Sequence, residues 1–222
     1  MDFKRLRDRL HEIESETWDT IRNAAKDGDA EAQFLLGYRF SDARLDCEDS
    51  EDYEKWLRAA AEQDHPEALY ELALTRFGAQ IECGDHVLDD ARYILLMRAA
   101  SLGAVKAQRD VAVLHIWGDN PYFEKDWTRA RFWYLQAARQ GHHEAQAAVG
   151  SMIVRGEGGP VNQEAGLAIL ELAANGSTSY EAQTAAEELA LYYSGAFGVP
   201  PNPEREKKWR ERVTRNNENE CP

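Results

Sequence analysis

One short segment recurs along the chain, and this repetition constrains the fold more than any other feature. The segment AAKDGDAEAQFLLG begins at Ala24, similar segments begin at Ala60, Ala99 and Ala137, and a degenerate copy with a longer turn begins at Ala173. Aligning the copies on one alanine gives the anchors Ala32, Ala68, Ala107, Ala145 and Ala185. The anchors are separated by 36, 39, 38 and 40 residues. A period near 38 residues is typical of repeats made of two helices and their connections.

Small and bulky residues alternate within each copy at helical spacing. The first helix of a copy runs from the anchor to a pair whose second member is small, as in Leu36–Gly37 and Val149–Gly150. The second helix ends in two alanines. Bulky pairs precede these alanines, namely Trp56–Leu57, Ile94–Leu95, Trp133–Tyr134 and Ile169–Leu170. This pattern lets neighbouring helices approach closely and interlock.

Helix-breaking residues stand between the predicted helices. The glycines that follow the alanine pairs lie where helix C-termini favour a left-handed residue, and they are Gly28, Gly103, Gly141 and Gly176. Asp64 takes this position in one copy, and Pro66 then suits the first turn of the next helix. No stretch alternates with period two for long enough to predict a sheet.

The sequence therefore predicts an all-α fold, an α-solenoid of about five helix-turn-helix repeats over residues 28–215. Residues 1–27 would form an N-terminal capping helix, and residues 216–222 a frayed tail. The alternative is a helical bundle that is not a solenoid. The solenoid is favoured because each repeat needs neighbours to bury its faces, and five copies exceed the usual minimum.

Two stretches resemble the Sel-one-like repeat family, a relative of the tetratricopeptide repeats. They are ALYYSGAFGVPPNPEREKKW at residues 190–209 and TRARFWYLQAARQGHHEAQ at residues 128–146. The resemblance covers about residues 17–215. It implies a right-handed superhelix whose first helices line a concave face, an adaptor or scaffold role, and no intrinsic enzymatic activity. The family's glycine turn is replaced at residues 41–52 and 117–126, so a different turn geometry is expected there.

The charge and composition limit the classes of partner. A formal net charge of −14 argues against nucleic acid and anionic membranes as ligands, because both require a basic surface. It suits a basic protein partner, which an acidic field would steer, although the charge could equally serve solubility alone. There is no secretory signal, no apolar run long enough to span a membrane, and no paired spacing among the three cysteines. A cytoplasmic location is therefore expected.

The resemblance to tetratricopeptide-like repeats also implies which first-helix residues face the concave groove. These candidate contacts are Glu31, Phe34, Tyr38, Tyr70, Leu74, Phe77, Arg109, Val113, Ile116, Trp117 and Arg155. Tyr70, Phe77 and Trp117 are the predicted hot spots, because aromatic residues dominate binding energy. The alternative is that these aromatics pack inside the solenoid.

An acidic loop offers a second candidate contact. It contains Asp46, Glu48 and Asp49 and could dock a basic surface by charge pairing. The alternative, which we favour from the sequence, is a solvated loop whose last acids stabilise the N-terminus of the next helix.

Catalytic and metal-binding patterns are incomplete in this sequence. Cys83 and His86 have a Cys-x-x-His spacing, but no second close pair completes a zinc site. The glycine turn at residues 156–159 lacks the Lys-Ser or Lys-Thr ending of a phosphate loop. We therefore predict no metal, no cofactor and no enzymatic activity.

The predicted function is protein–protein interaction, and two roles remain open within it. The more specific hypothesis is a cytoplasmic immunity or antitoxin protein that neutralises a bacterial toxin. The alternative is a general adaptor in signalling or assembly, and an enzyme with a hidden ligand site is the rival class. The sequence leaves the oligomeric state open.

Overall fold

The computed structural model describes residues 15–41, 50–75, 90–118, 121–176 and 180–219. These residues form eleven α-helices, no β-strand and a short 3₁₀ turn at Ala196–Gly198. The helices are α1 Ser15–Lys26, α2 Ala30–Ser41, α3 Ser50–Glu62, α4 Pro66–Thr75, α5 Asp90–Ser101, α6 Val105–Trp117, α7 Trp127–Arg139, α8 His143–Arg155, α9 Gln163–Gly176, α10 Tyr180–Tyr193 and α11 Pro203–Asn219. None of the described helices is both long and apolar enough to span a membrane.

The helices alternate as the repeat predicts, and the all-α solenoid class is confirmed. The anchor alanines lie in α2, α4, α6, α8 and α10, which are the first helices of the five repeats. The alanine pairs close α1, α3, α5, α7 and α9. The helix α1 lies where the sequence predicts the N-terminal capping helix, whereas α11 continues to Asn219, beyond the predicted start of the frayed tail. The handedness of the superhelix stays a prediction.

The chain divides into two compact units, residues 1–107 and residues 108–222. Unit 1 contains α1 to α5 and the first residues of α6. Unit 2 contains the rest of α6 and α7 to α11.

One bulky side chain is enclosed near the end of each second helix. It lies three residues before the alanine pair, and the residues at this position are Ile21, Leu57, Leu96, Tyr134 and Leu170, each at most 4% exposed. In the predicted bulky pairs the first member is only half-buried, as Trp56 and Trp133 show. For α5 the predicted pair is wrong by one residue, because Leu96 is enclosed while Ile94 is 59% exposed. A shift of one residue turns a helical side chain by about 100°, away from the core.

Glycines allow α8 and α9 to touch through their backbones. A Cβ on Gly166 would lie 2.7 Å from the carbonyl oxygen of Gly150 and 2.6 Å from Cγ2 of Val154. A Cβ on Gly150 would lie 2.8 Å from Cγ of Leu170. The small residue predicted at Gly150 therefore has the expected role, while Gly166 is an additional contact that the repeat alignment did not identify.

The turns between repeats largely follow the prediction. Asp64 is left-handed with a φ of 62°, and Pro66 begins α4. Gly176 differs from the other three predicted glycines, because it ends α9 without a left-handed φ. Its absent side chain makes room for His143, whose Cε1 would lie 2.2 Å from a Cβ at this position.

Buried glutamines link successive repeats. The side chains of Gln33 and Gln146 donate from Nε2 to the carbonyl of the second alanine in the preceding pair, at 3.1 and 3.2 Å. Gln63 and Gln140 donate in turn to the side chains of Gln33 and Gln108, both at 2.9 Å. The bonds to Ala25 and Ala138 thus give a side-chain donor to carbonyls at the ends of α1 and α7, which also accept from the backbone N–H groups of Gly28 and Gly141.

The last helix, α11, is held by a buried tryptophan and by hydrogen bonds to α9 and α10. Trp209 of α11 is fully buried among residues of α9 and α10. Arg205 Nη1 donates to the hydroxyl of Tyr193 at 2.7 Å, and that hydroxyl donates to Glu171 Oε1 at 2.8 Å. Burial raises the pKa of Tyr193, so the phenol stays protonated and can make both bonds.

Candidate protein-binding surface

In unit 2, side chains of neighbouring first helices meet on one surface, which we call the first-helix face. Arg109 Nε of α6 lies 3.5 Å from Glu144 Oε2 of α8. Arg155 Nη2 of α8 lies 3.4 Å from Glu188 Oε1 of α10. Partly exposed ion pairs of this kind contribute little stability individually, but they show that both predicted arginines reach the next first helix.

The charge of Arg109 is balanced within the protein, and the nearest tyrosine is protonated. Arg109 Nη1 also lies 2.9 Å from Asp110 Oδ1, so two carboxylates neutralise its guanidinium. The neighbouring Tyr134 is buried, and burial, with the charges of Glu144 and Asp110 adding to it, raises the pKa of its phenol to about 12. The phenol is therefore neutral at physiological pH and is not a ready base or nucleophile.

His142 caps α8 next to this cluster. Its Nδ1 accepts the backbone N–H of Ala145 at 3.3 Å. Burial lowers the pKa of His142, and the charges of Arg109 and His143 lower it further, whereas Glu144 and Asp110 raise it. A neutral imidazole is required for this cap, because a protonated ring has no acceptor nitrogen.

Arg155, at the end of α8, is held by aromatic residues. Its Nε donates to the hydroxyl of Tyr192 at 2.9 Å, and its guanidinium carbon lies 5.0 Å from the ring centroid of Phe197. Ser151 Oγ donates to Glu188, which also pairs with Arg155. The side chain of Arg155 is therefore held in position by contacts within the chain.

Phe197 is a surface residue that the sequence reasoning missed. It lies in the turn after α10, is 57% exposed, and has a φ of 53°. A left-handed conformation costs a residue other than glycine about 1–2 kcal/mol, and such strain often marks a functional position. In the sequence, this residue could have been noticed as a large aromatic side chain inside the glycine-rich turn GAFGVP.

Trp117 is the predicted hot spot that the structure leaves open. It is the last residue of α6 and is 68% exposed, while Val113 and Ile116 on the same helix are half-buried. Trp117 and Arg155 stand ten residues after their anchor alanines, so they occupy equivalent positions at the ends of successive first helices. We call Trp117, Arg155 and Phe197 the unit 2 edge.

Two predicted contacts in unit 1 are interior residues instead. Phe34 is 2% exposed and Tyr70 is 5% exposed, so the expectation that they offer contact surface is corrected. The ring of Phe34 stacks on that of His65, with centroids 4.6 Å apart. The side chain is covered because His65 comes from the turn before the next first helix, a neighbour that the repeat pattern does not specify.

The remaining described candidates of unit 1 are partly covered. Glu31 Oε2 lies 3.0 Å from His65 Nε2, and Glu67 Oε2 lies 3.8 Å from His65 Nδ1. Tyr38 and Leu74 are half-buried. Acidic side chains therefore surround His65 on the first helices of this unit.

Four predicted contacts, Phe77, Asp46, Glu48 and Asp49, lie outside the described residues, as do Cys83 and His86. Their roles stay predictions. Within the described ranges, no group of His, Cys, Asp and Glu side chains is arranged to hold a metal ion.

The recurring helix pairs define a helical repeat protein. The Sel1 repeat model matches residues 30–44, 54–65, 105–142, 143–177 and 184–205, which is more than half of the chain. The chain therefore belongs to the Sel1 repeat family, as its sequence resemblance predicted. No curated protein sequence matches it.

Solved structures with a similar fold include other proteins of this repeat type. A Sel1 repeat protein from Oxalobacter formigenes is 26% identical with a TM-score of 0.68, over 90% of this chain and 78% of that one. The protective antigen c5321 of uropathogenic Escherichia coli strains is 25% identical with a TM-score of 0.71, over 89% of this chain and 40% of that one. This chain thus spans less than half of c5321.

A third similar structure is the immunity protein PA5088 from Pseudomonas aeruginosa. It is 16% identical to this chain with a TM-score of 0.54, and the match covers 92% of this chain and 74% of that one. This likeness shows the fold alone.

Proposed function

We propose that this protein binds a protein partner through the first-helix face, with the unit 2 edge at the centre of the contact. Membership in the Sel1 repeat family indicates an interaction role. The observation that carries the proposed location is Trp117, which is 68% exposed at the end of a first helix. Interface hot spots are enriched in tryptophan and arginine, and the fixed Arg155 occupies the equivalent position in the next repeat.

The proposed partner is a basic protein. The net charge of −14 provides an acidic field that would steer such a partner. The two arginines of the first-helix face do not oppose this field, because Asp110, Glu144 and Glu188 neutralise them.

The more specific role that we propose is neutralisation of a bacterial toxin in the cytoplasm. Its support is the strong acidity and a fold shared with an immunity protein. A dedicated inhibitor should bind one partner in a 1:1 complex that survives high salt. A general adaptor should instead recover several partners, and these should be lost as salt screens the surface charges.

The experiment that tests the site is affinity capture from the native host, followed by titration of the captured partner with variants. We expect Trp117→Ala and Phe197→Ala each to weaken binding by about tenfold or more, the effect of losing a hot spot. Phe132→Ala is the matched control, because Phe132 is also an exposed aromatic but lies on the second helix α7.

Equal affinities for the wild type and Trp117→Ala would refute the proposed location. Native mass spectrometry of the purified protein tests the rival class, because an enzyme with a hidden site should retain a metal or a small ligand.

A further inference from the structure

An apolar groove lies in unit 1 between the second helices α3 and α5. Its floor is formed by α4 and its walls by the other two helices, and its apolar lining is Ala61, Leu69, Leu72, Ala91, Ile94 and Leu95. Its volume is about 380 Å³, which is within the range of ligand-binding clefts. It follows α5 from Ala91 to Arg98, a length of about 10 Å at the rise of an α-helix.

At the groove, α5 carries a smaller residue at a repeat position where α3 and α7 carry tryptophan. Leu95 stands where α3 has Trp56 and α7 has Trp133, each four residues before an alanine pair. Trp56 fills the corresponding space by packing against the core around α1. With leucine at this position and Ala91 one turn earlier, the α5 wall is recessed, and Ile94 is left 59% exposed at the rim.

The charges at the rim favour a basic occupant. Arg58 pairs with Glu54, and Arg98 lies 2.6 Å from Asp64, so both arginines are neutralised within the protein. Glu62, the third charged residue of the lining, makes no ion pair with any other residue in the described ranges. Among the described residues, the rim therefore presents one carboxylate without an ion pair beside an apolar floor.

We infer that this groove receives an amphipathic helix of the partner protein. Apolar side chains of that helix, spaced by three or four residues, would fill the recess beside Leu95, and a lysine or arginine would pair with Glu62. This is the helix-in-groove mode, in which apolar anchors provide affinity and charges set orientation. The inference rests on the proposed function, since it takes a partner protein as the occupant, but it concerns unit 1 rather than the unit 2 edge.

The test uses a synthetic amphipathic helical peptide of leucine, alanine and lysine, labelled with fluorescein and titrated with the full chain. Fluorescence anisotropy should show saturable binding. Leu95→Trp should fill the groove and Ile94→Glu should place a charge at its rim, and each should weaken binding by about tenfold or more. A peptide with glutamate in place of lysine should bind more weakly to the wild type, and Glu62→Lys should reverse that preference.

The matched control is Phe132→Glu, because Phe132 occupies the same repeat position in α7 as Ile94 in α5 and is 51% exposed. This variant should bind the lysine peptide as the wild type does. If Leu95→Trp fails to fold, Ile94→Glu decides the result, because Ile94 lies at the surface and its replacement should not prevent folding.

Two results would refute the inference that the groove binds a helix. One is that the wild type shows no saturable binding of the peptide, and the other is that Ile94→Glu and Phe132→Glu weaken peptide binding equally. The proposed function fails separately, through the Trp117→Ala titration. If the peptide does not bind while Trp117→Ala weakens the captured partner, the groove inference is wrong and the unit 2 edge stands. If the peptide binds as expected while Trp117→Ala has no effect, the contact lies in unit 1 instead.

Discussion

Gly166 lies where α9 crosses α8, and replacing it with alanine is expected to destabilise the protein. Alanine in a helix interior is normally more stable than glycine by about 1 kcal/mol. Here the new Cβ would lie 2.7 Å from the carbonyl oxygen of Gly150 and 2.9 Å from the backbone nitrogen of Val154. Overpacking of this kind costs about 1–3 kcal/mol. Backbone atoms cannot rotate away, so the helices must separate, and we expect a net loss of up to about 2 kcal/mol.

The assay is urea unfolding followed by far-UV circular dichroism, with Ala168→Gly as the control. Ala168 is an exposed residue of the same helix, so its replacement measures helix propensity without a packing contact. That control should lose about 1 kcal/mol. If Gly166→Ala gains stability by the amount that Ala168→Gly loses, propensity alone governs the site, and the close contact between α8 and α9 is refuted.

Two further predictions concern the hydrogen bonds that His142 and Gln146 make at the start of α8. The pKa of His142 lies below its ordinary value of 6.5, because the folded protein favours the neutral imidazole. The free energy of unfolding should therefore fall as the pH drops below 6.5 and passes through the lowered pKa. His142→Asn keeps a capping side chain that does not titrate in this range, and urea unfolding at several pH values should show a smaller fall. Gln146→Ala removes one hydrogen bond to the Ala138 carbonyl, which keeps its bond from the Gly141 backbone N–H, and should cost about 0.5–1.5 kcal/mol. Gln140→Ala, at a more exposed residue, should cost less, and equal losses would contradict the linking role of the buried glutamine.

The unit 2 edge could be anticipated only in part from the sequence. The repeat alignment indicated Trp117 and Arg155 because they stand at equivalent positions of their first helices. It missed Phe197, since that residue lies in a turn and is brought against Arg155 of another repeat only in the folded chain. It also ranked Tyr70 as a hot spot beside Trp117, although Tyr70 is only 5% exposed.

The sequence by itself determined the helix pairs, their period and most of the turns between them. These features depend on residues close in the chain: a small residue beside a bulky one at helical spacing, or a left-handed Asp64 followed by Pro66. Such preferences depend on neighbouring residues, so each copy of the repeat contains the same signals.

Only the tertiary structure decided which surfaces remain open. Exposure at one repeat position depends on the side chain that the neighbouring repeat presents to it. At one such position, Leu95 lines an apolar groove, whereas Trp56 packs against the core around α1. The repeat pattern specifies the helices, but the size of each side chain and the contacts it makes across repeats determine where a partner can bind.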